Sequence, residues 1–242
     1  MGSVTRLPAC CHGLSDRWPT GFELPGACWA SIRFDKERLE RDDFQRCGLP
    51  HPESIARAAP KRQIEFLTGR LCAREALRQL TGQASVPGVA ESRAPVWPDR
   101  VIGSITHSGD FAAVVVAPTS RHAGLGLDAE RMIDVTRAQR LAGQVLTPDE
   151  RARMAALPLE EHGHFVTLVF SLKESLFKAL FPLVGVRFYF QDAQLVEWDA
   201  ATRQATLSLR KSLSDAWPAG RRLRGGYVLH ESYLISRIAI PA

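Results

Sequence analysis

Apolar residues recur every three or four positions along two stretches of this chain, which is the spacing of an amphipathic helix. In residues 60–80 they alternate with Lys, Arg and Glu, and a Thr-Gly pair follows as a stop signal. In residues 165–180 they cover most of the helix circumference, and Pro182 and Gly185 follow. Thr147 is followed directly by Pro148 and, three positions after it, by the acid Glu150, a pattern that is typical of a helix start. We therefore predict two long helices and one further helix start.

Other stretches alternate apolar and polar residues, or form short apolar runs bounded by turn residues, as strands do. We predict strands at 101–106, 111–117, 124–130 and 205–209, and a pair within 227–240 that turns at 230–232. The first 60 residues predict irregular structure with one strand at 29–34, and residues 82–100 predict a loop. There is no strict βαβ alternation and no repeat, so the predicted fold is a two-lobed mixed α/β (α+β) fold.

Composition narrows the class of protein. The chain has 242 residues, 45% hydrophobic and 24% charged, which is ample for one large or two smaller globular domains. Five cysteines without a C-x-x-C spacing favour reduced thiols in the cytoplasm. The longest apolar run, residues 111–117, is too short to cross a bilayer, so neither membrane insertion nor secretion is expected. A formal net charge of +5 favours an anionic partner: a nucleic acid, a phosphate-rich cofactor or an acidic protein.

Two acids at the end of the predicted strand 124–130 are candidate metal ligands. Asp128 and Glu130 lie two positions apart, so their side chains point to the same face at a spacing of about 6.6 Å. Mg²⁺ relieves the repulsion between such carboxylates, and it is commonly held by one or two of them together with phosphates and water. The alternative is a solvent-facing strand edge whose acids contact water and a nearby Lys or Arg.

The second long helix carries a candidate catalytic pair, Glu174 and Lys178. The surrounding helix is mostly apolar, so a polar stripe on it is expected to face a cleft between lobes. A glutamate there would take a proton from a hydroxyl, and a lysine would stabilise phosphate charge. The alternative is an ordinary surface ion pair, because i and i+4 is also the commonest spacing for such pairs.

Several residues of the first half offer donors to an anion. Thr106 and His107 end a predicted strand with a hydroxyl and an imidazole. Arg62 and Arg70 lie on the first long helix and Arg93 in the loop after it, where they would form a basic wall for phosphates. A solvated helix face is the alternative for the arginines.

Four blocks of residues follow one another in a specific order. They are Gly-Arg-Leu-Cys-Ala-Arg-Glu-Ala-Leu at 69–77, Gly-Ser-Ile-Thr-His-Ser at 103–108, Gly-Leu-Gly-Leu-Asp-Ala-Glu at 124–130 and Phe-Ser-Leu-Lys-Glu-Ser-Leu-Phe-Lys-Ala at 170–179. In order and spacing the chain from about residue 60 to residue 190 resembles the Sfp-type 4'-phosphopantetheinyl transferases, particularly the enterobactin synthase component D branch. The last two blocks together are highly specific, whereas the first 60 residues offer no comparable match.

The resemblance implies a reaction. It implies transfer of the phosphopantetheine arm of coenzyme A to a serine of an apo acyl, peptidyl or aryl carrier protein, with release of adenosine 3',5'-bisphosphate. By analogy Asp128, Glu130 and Glu174 bind Mg²⁺ against the pyrophosphate, Glu174 helps to deprotonate the serine, and Lys178 stabilises the phosphate charge.

The resemblance also implies where coenzyme A is bound. Thr106 and His107 would contact its phosphates, and Arg93 matches a basic position that the family uses near the nucleotide. Arg62 and Arg70 are our own additions for the 3'-phosphate.

The family fold is a pseudo-twofold pair of similar lobes, each a small sheet with a long helix, with coenzyme A and metal between them. It implies an N-terminal lobe at 1–123 that contacts the coenzyme A phosphates and a C-terminal lobe at 124–242 that holds the metal and the catalytic residues. We expect a cytoplasmic monomer whose partners are coenzyme A and carrier proteins, with neither nucleic acid nor membrane. The competing hypothesis is a nucleic-acid-binding module, motivated by the arginines at 62–74 and 221–224, although no helix-turn-helix, RNP or zinc-finger pattern accompanies them. We expect residues 221–226 to form an exposed, charged connection.

Overall fold

A computed structural model describes residues 7–91 and 93–242, and the chain divides into two compact units. The first unit comprises the chain up to Trp18 together with Leu24–Ala117. The second comprises Pro19–Glu23 and Pro118–Ala242. The lobes implied by the family resemblance divide a few residues further along, at 123–124.

The first unit contains helices and short strands around one sheet. Its strands are β1 (Cys11–Ser15), β2 (Cys28–Phe34), β3 (Gly88–Val89), β4 (Pro95–Val96), β5 (Val101–Ser108) and β6 (Phe111–Pro118). Its helices are α1 (Asp43–Arg46), α2 (Glu53–Ala56) and α3 (Pro60–Thr81), with a 3₁₀ turn at Lys36–Arg38. The sheet has the order β1-β2-β6-β5, and β3 and β4 form a separate antiparallel ladder.

The predictions for this half are largely confirmed. The first long helix is α3, the predicted hairpin is β5–β6, and the strand predicted at 29–34 lies within β2. Strand β1 and the β3–β4 ladder were not predicted, because two- to five-residue strands in Pro- and Gly-rich sequence carry almost no periodic signal. Helix α3 packs its apolar face against the sheet through Ile64, Leu67 and Leu71, all buried, and this brings its first turn near the end of β5.

The second unit is an antiparallel sheet covered by helices. Its strands are β7 (His122–Arg131), β8 (Ala193–Asp199), β9 (Gln204–Leu209), β10 (Arg222–His230) and β11 (Tyr233–Pro241), in the order β7-β11-β10-β9-β8. Its helices are α4 (Val135–Val145), α5 (Pro148–Ala155) and α6 (His162–Val184), with 3₁₀ turns at Leu159–Glu161 and Phe190–Asp192. Helix α6 packs on β7 and β11, while α4 and α5 pack on α6.

Two details differ from the expectations for this half. Helix α6 ends at Val184 with Gly185 as its C-cap, which confirms the glycine as a stop signal, whereas Pro182 lies inside the last turn and does not end the helix, because a proline there removes only one of the helix hydrogen bonds. The arginines at 221–224 do not lie in an exposed connection: Arg222 begins β10, whose glycines at 225 and 226 are buried, although Arg222 and Arg224 themselves are exposed. Helix α4 and strand β8 were not predicted.

The segment Pro19–Glu23 belongs to the second unit through contacts with its sheet. Phe22 is buried, its ring lies 4.5 Å from the Arg237 guanidinium, and Arg237 also donates to its carbonyl oxygen. Arg203 donates to the carbonyl oxygen of Thr20 at 3.0 Å. All five cysteines, each a described residue, are free thiols. No helix in the described part of the chain is both long and apolar enough to cross a bilayer.

Candidate active site

The site in the second unit begins with an unusually close approach of α6 to β7. A Cβ atom on Gly126 would lie 1.8 Å from the Ser175 carbonyl oxygen, and one on Gly124 would lie 2.7 Å from that of Ala179. Only glycine at these positions lets the helix rest on the strand backbone. The glycines and the acids of β7 therefore share the face that α6 covers, so the solvent-facing strand edge considered as an alternative is wrong for Asp128, which is 4% exposed.

Serine hydroxyl groups on α6 and β11 also stabilise the packing of the helix on the sheet. Ser171 and Ser175 lie 2.8 and 2.9 Å from the Ser236 hydroxyl on β11, and Ser175 also donates to the Ser236 carbonyl oxygen at 3.0 Å. All three serines are buried. In this register Ser236 is paired directly with Asp128 of β7, so the hydrogen bonds fix α6 opposite the acid.

Lys178 crosses from α6 to β7. Its ammonium donates to Asp128 Oδ1 at 2.7 Å and to the Leu127 carbonyl oxygen at 2.9 Å. The Lys178 side chain is 27% exposed and the Asp128 side chain 6% exposed, so solvent and ligands reach this pair from the lysine end. The i,i+4 pair with Glu174 that the spacing suggested is absent within 4.0 Å, both residues being described, because Lys178 has the better-placed acid across the strand.

Glu174 lies half-buried beside this pair. Burial raises the pKa of its carboxyl, the Lys178 ammonium opposes that rise, and the Asp128 carboxylate adds to it. A carboxyl whose charge is disfavoured by burial and by a second acid is one that a cation would stabilise.

Glu130 is the remaining predicted metal ligand. It is partly buried near the end of β7, two residues from Asp128. The oxygens of Asp128, Glu130 and Glu174 are not mutually within 4.8 Å, so three ligands do not surround one point in this structure. Mg²⁺ needs only one or two protein carboxylates when phosphate and water complete its coordination shell. Asp128, which contacts the Lys178 ammonium, and the neighbouring Glu174 carboxyl are donors that fit this ion.

Within residues 7–91 and 93–242, the one group of three potential ligands that lie that close together is Glu40, Asp42 and Asp43. Arg46 forms ion pairs with all three, so its guanidinium offsets part of their negative charge. None of these acids was predicted as a site residue, and the cluster lies in the first unit.

A cavity of about 210 Å³ opens next to Glu174 in the second unit. Four of its eight lining residues are aromatic; the full lining is Lys173, Glu174, Phe177, Arg187, Phe188, Tyr189, Phe190 and Ala193. This feature was missed from the sequence, because Phe188 to Phe190 follow the helix in a stretch without periodicity.

In the first unit, Arg62 and His107 meet. Arg62 Nη1 lies 3.1 Å from His107 Nε2, so this nitrogen accepts and the ring proton of a neutral His107 lies on Nδ1. The Nδ1 atom faces Glu65 Oε2 at 3.6 Å, and Lys61 lies 3.8 Å from the other Glu65 oxygen. Burial raises the pKa of the Glu65 carboxyl, although Lys61 and Arg62 oppose that rise.

Glu65 was not predicted to belong to this cluster. The only sequence signal for it is its position three and four residues after Arg62 and Lys61 on α3, which resembles that of any surface acid. Thr106, one residue before His107 on β5, is buried. The structure thus joins two of the predicted residues of this half, Arg62 and His107, by a hydrogen bond.

Arg70 and Arg93 are linked through the β3–β4 ladder. Arg70 is 5% exposed, it donates to the Gly88 carbonyl oxygen at 3.2 Å, and it stacks 4.5 Å from the Phe66 ring. Burial lowers the pKa of Arg70 to about 10, with the Arg62 charge adding to this effect, and its Nε has no hydrogen-bond partner among the described residues. The solvated face considered for the arginines is therefore wrong for Arg70.

Arg93 lies in the turn between the two strands of this ladder. Its φ is 68°, in the left-handed region, and its backbone N–H donates to the Ala90 carbonyl oxygen at 2.8 Å. The side chain is exposed. Such a backbone conformation costs about 1–2 kcal/mol for a residue other than glycine, so Arg93 at the tip of the turn lowers the stability of the turn.

Comparisons with known proteins agree in both units. Residues 51–117 match the model of the 4'-phosphopantetheinyl transferase N-terminal domain, and residues 124–231 match that of the 4'-phosphopantetheinyl transferase superfamily. The chain is 39% identical to the 4'-phosphopantetheinyl transferase Svp of Streptomyces mobaraensis, over 78% of this chain and 76% of that protein. It is 38% identical to enterobactin synthase component D of Escherichia coli K12, over 74% and 82%.

Solved structures are more distant. The holo-[acyl-carrier-protein] synthase of Thermotoga maritima shares 18% identity with a TM-score of 0.35, and the match covers 49% of this chain and 62% of that one. The sequence relatives and the family models all favour the transferase hypothesis over the nucleic-acid-binding one.

Proposed function

The chain belongs to the 4'-phosphopantetheinyl transferase family and transfers phosphopantetheine from coenzyme A to carrier proteins; from this premise we propose which of its residues perform the transfer. The second unit supplies the metal ligands and the catalytic residues, and the first unit contacts the coenzyme A phosphates. The observation that carries this proposal is the accessible Lys178–Asp128 pair beside Glu174. The Lys178 ammonium lies 2.7 Å from Asp128 Oδ1, and the two residues belong to the two most specific blocks of the chain.

The reaction is a phosphoryl transfer. The carrier serine oxygen attacks the phosphorus that bears the pantetheine arm, the bond to the bridging pyrophosphate oxygen breaks, and adenosine 3',5'-bisphosphate leaves with the electron pair. Glu174 accepts the serine proton, a task for which its raised pKa suits it, because a stronger base takes a hydroxyl proton more readily. Lys178 places its ammonium against the phosphate oxygens on which charge develops.

Asp128 and Glu130 on β7 and Glu174 on α6 would hold Mg²⁺. A bound Mg²⁺ would neutralise the pyrophosphate charge and orient the leaving group. Asp128 has a further role in this proposal, because it holds the Lys178 ammonium at the site until phosphate competes for it. In this proposal the part of the arm nearest the phosphorus lies against the aromatic cavity next to Glu174.

The first unit carries the nucleotide end in this proposal. Arg62 offers its remaining N–H groups to a phosphate, His107 orients it by accepting its hydrogen bond, and Thr106 precedes His107 on β5. Arg93 at its exposed turn, two residues before Pro95, offers a cation to the nucleotide. We also assign Arg70 to the nucleotide site, because a buried guanidinium whose Nε lacks a hydrogen-bond partner among the described residues favours an anion nearby. Its hydrogen bond to Gly88 also supports the ladder that carries Arg93.

Intact-mass spectrometry of an apo carrier protein tests the proposal. Incubation with the enzyme, coenzyme A and Mg²⁺ is expected to add the mass of one phosphopantetheine group, and EDTA is expected to abolish the gain. Two carrier types, one acyl and one peptidyl, guard against a wrong partner. A full gain in EDTA would contradict the metal requirement. We also propose that the enzyme is cytoplasmic and monomeric, and size-exclusion chromatography tests the monomer.

A further inference from the structure

A buried ion pair lies one residue away from the proposed catalytic glutamate. Lys173 donates to Glu150 Oε2 at 2.7 Å, and the two side chains are 2% and 0% exposed. Glu150 lies in the first turn of α5, so the pair joins α5 to α6. Neither residue was predicted to be functional, because Glu150 reads locally as the acid of a capping box.

The Glu150 carboxylate does more than cap its own helix. It accepts from the Thr147 backbone N–H at 2.7 Å, as a capping box requires, and its other oxygen accepts from the Leu195 backbone N–H on β8 at 2.6 Å. With Lys173, three donors from α5, α6 and β8 converge on one carboxylate. Charge-assisted bonds of this kind are the stronger ones in proteins, so this carboxylate fixes the three elements together.

Lys173 is held from two sides. Besides Glu150, its ammonium donates to the Val145 carbonyl oxygen at the end of α4, at 2.9 Å. Burial lowers the pKa of Lys173, the Glu150 carboxylate opposes this, and the guanidinium groups of Arg210 and Arg153 add to the lowering. Glu150 is thus the acid that favours the charged form of this ammonium in the interior.

A buried ion pair is a costly way to hold a fold. Replacing such a pair by apolar residues of similar size is often neutral or stabilising, whereas removing one partner is strongly destabilising. Stability alone therefore gives little reason for a charged pair here. The pair does fix direction, because an ammonium bound to a carboxylate and a carbonyl oxygen has few alternative positions.

The direction that it fixes is the rotation of α6 about its axis. Successive helix residues are separated by about 100°, so Lys173 and Ser175 lie about 200° apart around the helix. Lys173 is anchored to α5 and Ser175 to β11. Glu174 and Lys178 lie between these two directions, about 100° and 140° from Lys173.

We propose that Glu150 is a positioning residue for the transfer reaction: through Lys173 it fixes the rotation of α6 that presents Glu174 and Lys178 next to Asp128. This inference rests on the proposed roles of Glu174 and Lys178. The pair also bears on the aromatic cavity, because Lys173 is one of the residues that line it.

Three variants test the inference. Glu150→Gln removes the charge and leaves Lys173 unpaired, so both the melting temperature and kcat are expected to fall. Glu150→Gln/Lys173→Met removes the whole pair, so the melting temperature is expected to return close to that of the wild type. Its kcat is expected to stay at least about tenfold low, because a small displacement of a catalytic group is enough for such a loss.

Asp149→Asn is the matched control, because Asp149 is the exposed neighbouring acid in the same helix turn and its side chain accepts a hydrogen bond from the Gln194 amide at 3.1 Å. It is expected to leave both quantities unchanged. Amide hydrogen exchange of residues 171–178 is measured on the same proteins without metal or coenzyme A, and it is expected to be faster in Glu150→Gln and in the double variant only.

Recovery of both the melting temperature and kcat in the double variant would overturn the positioning role and leave the transferase function intact. If the wild type and Asp149→Asn modify no carrier, the proposed catalytic function fails instead. In that case the exchange measurement still decides the structural part, since unchanged exchange in the double variant would contradict it.

Discussion

Helix α6 carries two lysines that each lie 2.7 Å from a carboxylate, yet the two pairs have different surroundings. Lys173 and Glu150 are closed off from solvent, whereas Lys178 is 27% exposed above Asp128. A phosphate can compete for the Lys178 ammonium and a cation for the Asp128 carboxylate, but neither can reach the buried pair. The comparison teaches that solvent access decides what a short ion pair can do. The accessible Lys178–Asp128 pair can exchange its partners for ligands, whereas the buried Lys173–Glu150 pair fixes the geometry of the fold.

The partners beyond each pair support this distinction. The Glu150 carboxylate also accepts two backbone N–H groups, so most of its acceptor capacity is used within the fold. Near Asp128 lies the Glu174 carboxyl, whose charge is disfavoured by burial and by Asp128 itself. A site with surplus negative charge and an exposed ammonium suits a metal–phosphate ligand, whereas the satisfied network does not.

The largest effect is expected at the open pair. Asp128→Asn removes the charge that holds Lys178 and would hold Mg²⁺, so the rate of carrier modification is expected to fall about 10²- to 10³-fold. The melting temperature is expected to change little, because Lys178 can turn to solvent. Intact-mass time courses and thermal unfolding measure the two quantities.

Glu197→Gln is the matched control for that change, since Glu197 is an exposed strand acid that pairs with Arg222. It is expected to retain the wild-type rate. A wild-type rate in Asp128→Asn as well would remove Asp128 from the catalytic centre.

The next effect concerns how closely α6 approaches β7. Gly126→Ala would bring a Cβ to 1.8 Å from the Ser175 carbonyl oxygen, so the helix must move away from the strand. We expect a loss of about 1–3 kcal/mol in the free energy of unfolding, and a lower rate of transfer because Lys178 loses its contact with Asp128. Chemical denaturation and the mass assay measure the two effects.

Gly143→Ala provides the contrast, since a Cβ on this residue of α4 meets nothing within 4 Å. Alanine is favoured over glycine in a helix by about 0.5–1 kcal/mol, so this variant is expected to be slightly more stable and fully active. Equal stability of the two alanine variants would mean that the close approach is not a constraint.

A smaller effect is expected from pH. Burial raises the pKa of Glu174 above that of a glutamate in the unfolded chain, so the folded protein keeps this proton to higher pH. The resulting contribution to the free energy of unfolding is complete below the unfolded pKa and is lost as pH rises through the raised value. Glu174→Gln is expected to remove that slope.

Urea unfolding of the wild type and Glu174→Gln between about pH 4 and 8 measures the slope. Mg²⁺ with coenzyme A is expected to restore stability to the wild type at the upper end of this range, where Glu174 is ionised. Superimposable pH profiles of the two proteins would contradict the raised pKa.

The smallest effect is expected at the nucleotide end. Arg62→Ala removes a half-exposed cation from His107, so KM for coenzyme A is expected to rise several-fold, at most about tenfold, with kcat nearly unchanged. Arg57→Ala, at an exposed position paired with Glu53, is the control and is expected to keep the wild-type KM. A fall in kcat without a change in KM would instead link Arg62 to the chemical step.

The elements that were predicted from the sequence are those with a strong local period. Helices α3 and α6 and the hairpin β5–β6 have one, whereas the two-residue strands β3 and β4 do not. The predicted site residues Asp128, Glu174 and Lys178 do come together. The partner of Lys178 was less predictable, because helix spacing favours Glu174, and only the glycine-dependent contact between α6 and β7 brings Asp128 closer.

The buried pair shows why the remaining part could not be predicted. The sequence around Glu150 is fully explained by a local capping box, so nothing in it points to Lys173, which lies 23 positions later. The continuation of α6 through Pro182 has a similar cause, since the packing of the helix outweighs one lost hydrogen bond.

Calorimetric titration of Mg²⁺ into protein saturated with coenzyme A tests most directly whether the open pair is the catalytic centre. Wild type and Glu197→Gln are expected to bind Mg²⁺ with the same affinity, and Asp128→Asn is expected to lose that binding while coenzyme A still binds. Unchanged Mg²⁺ affinity in Asp128→Asn would place the metal elsewhere and contradict the account.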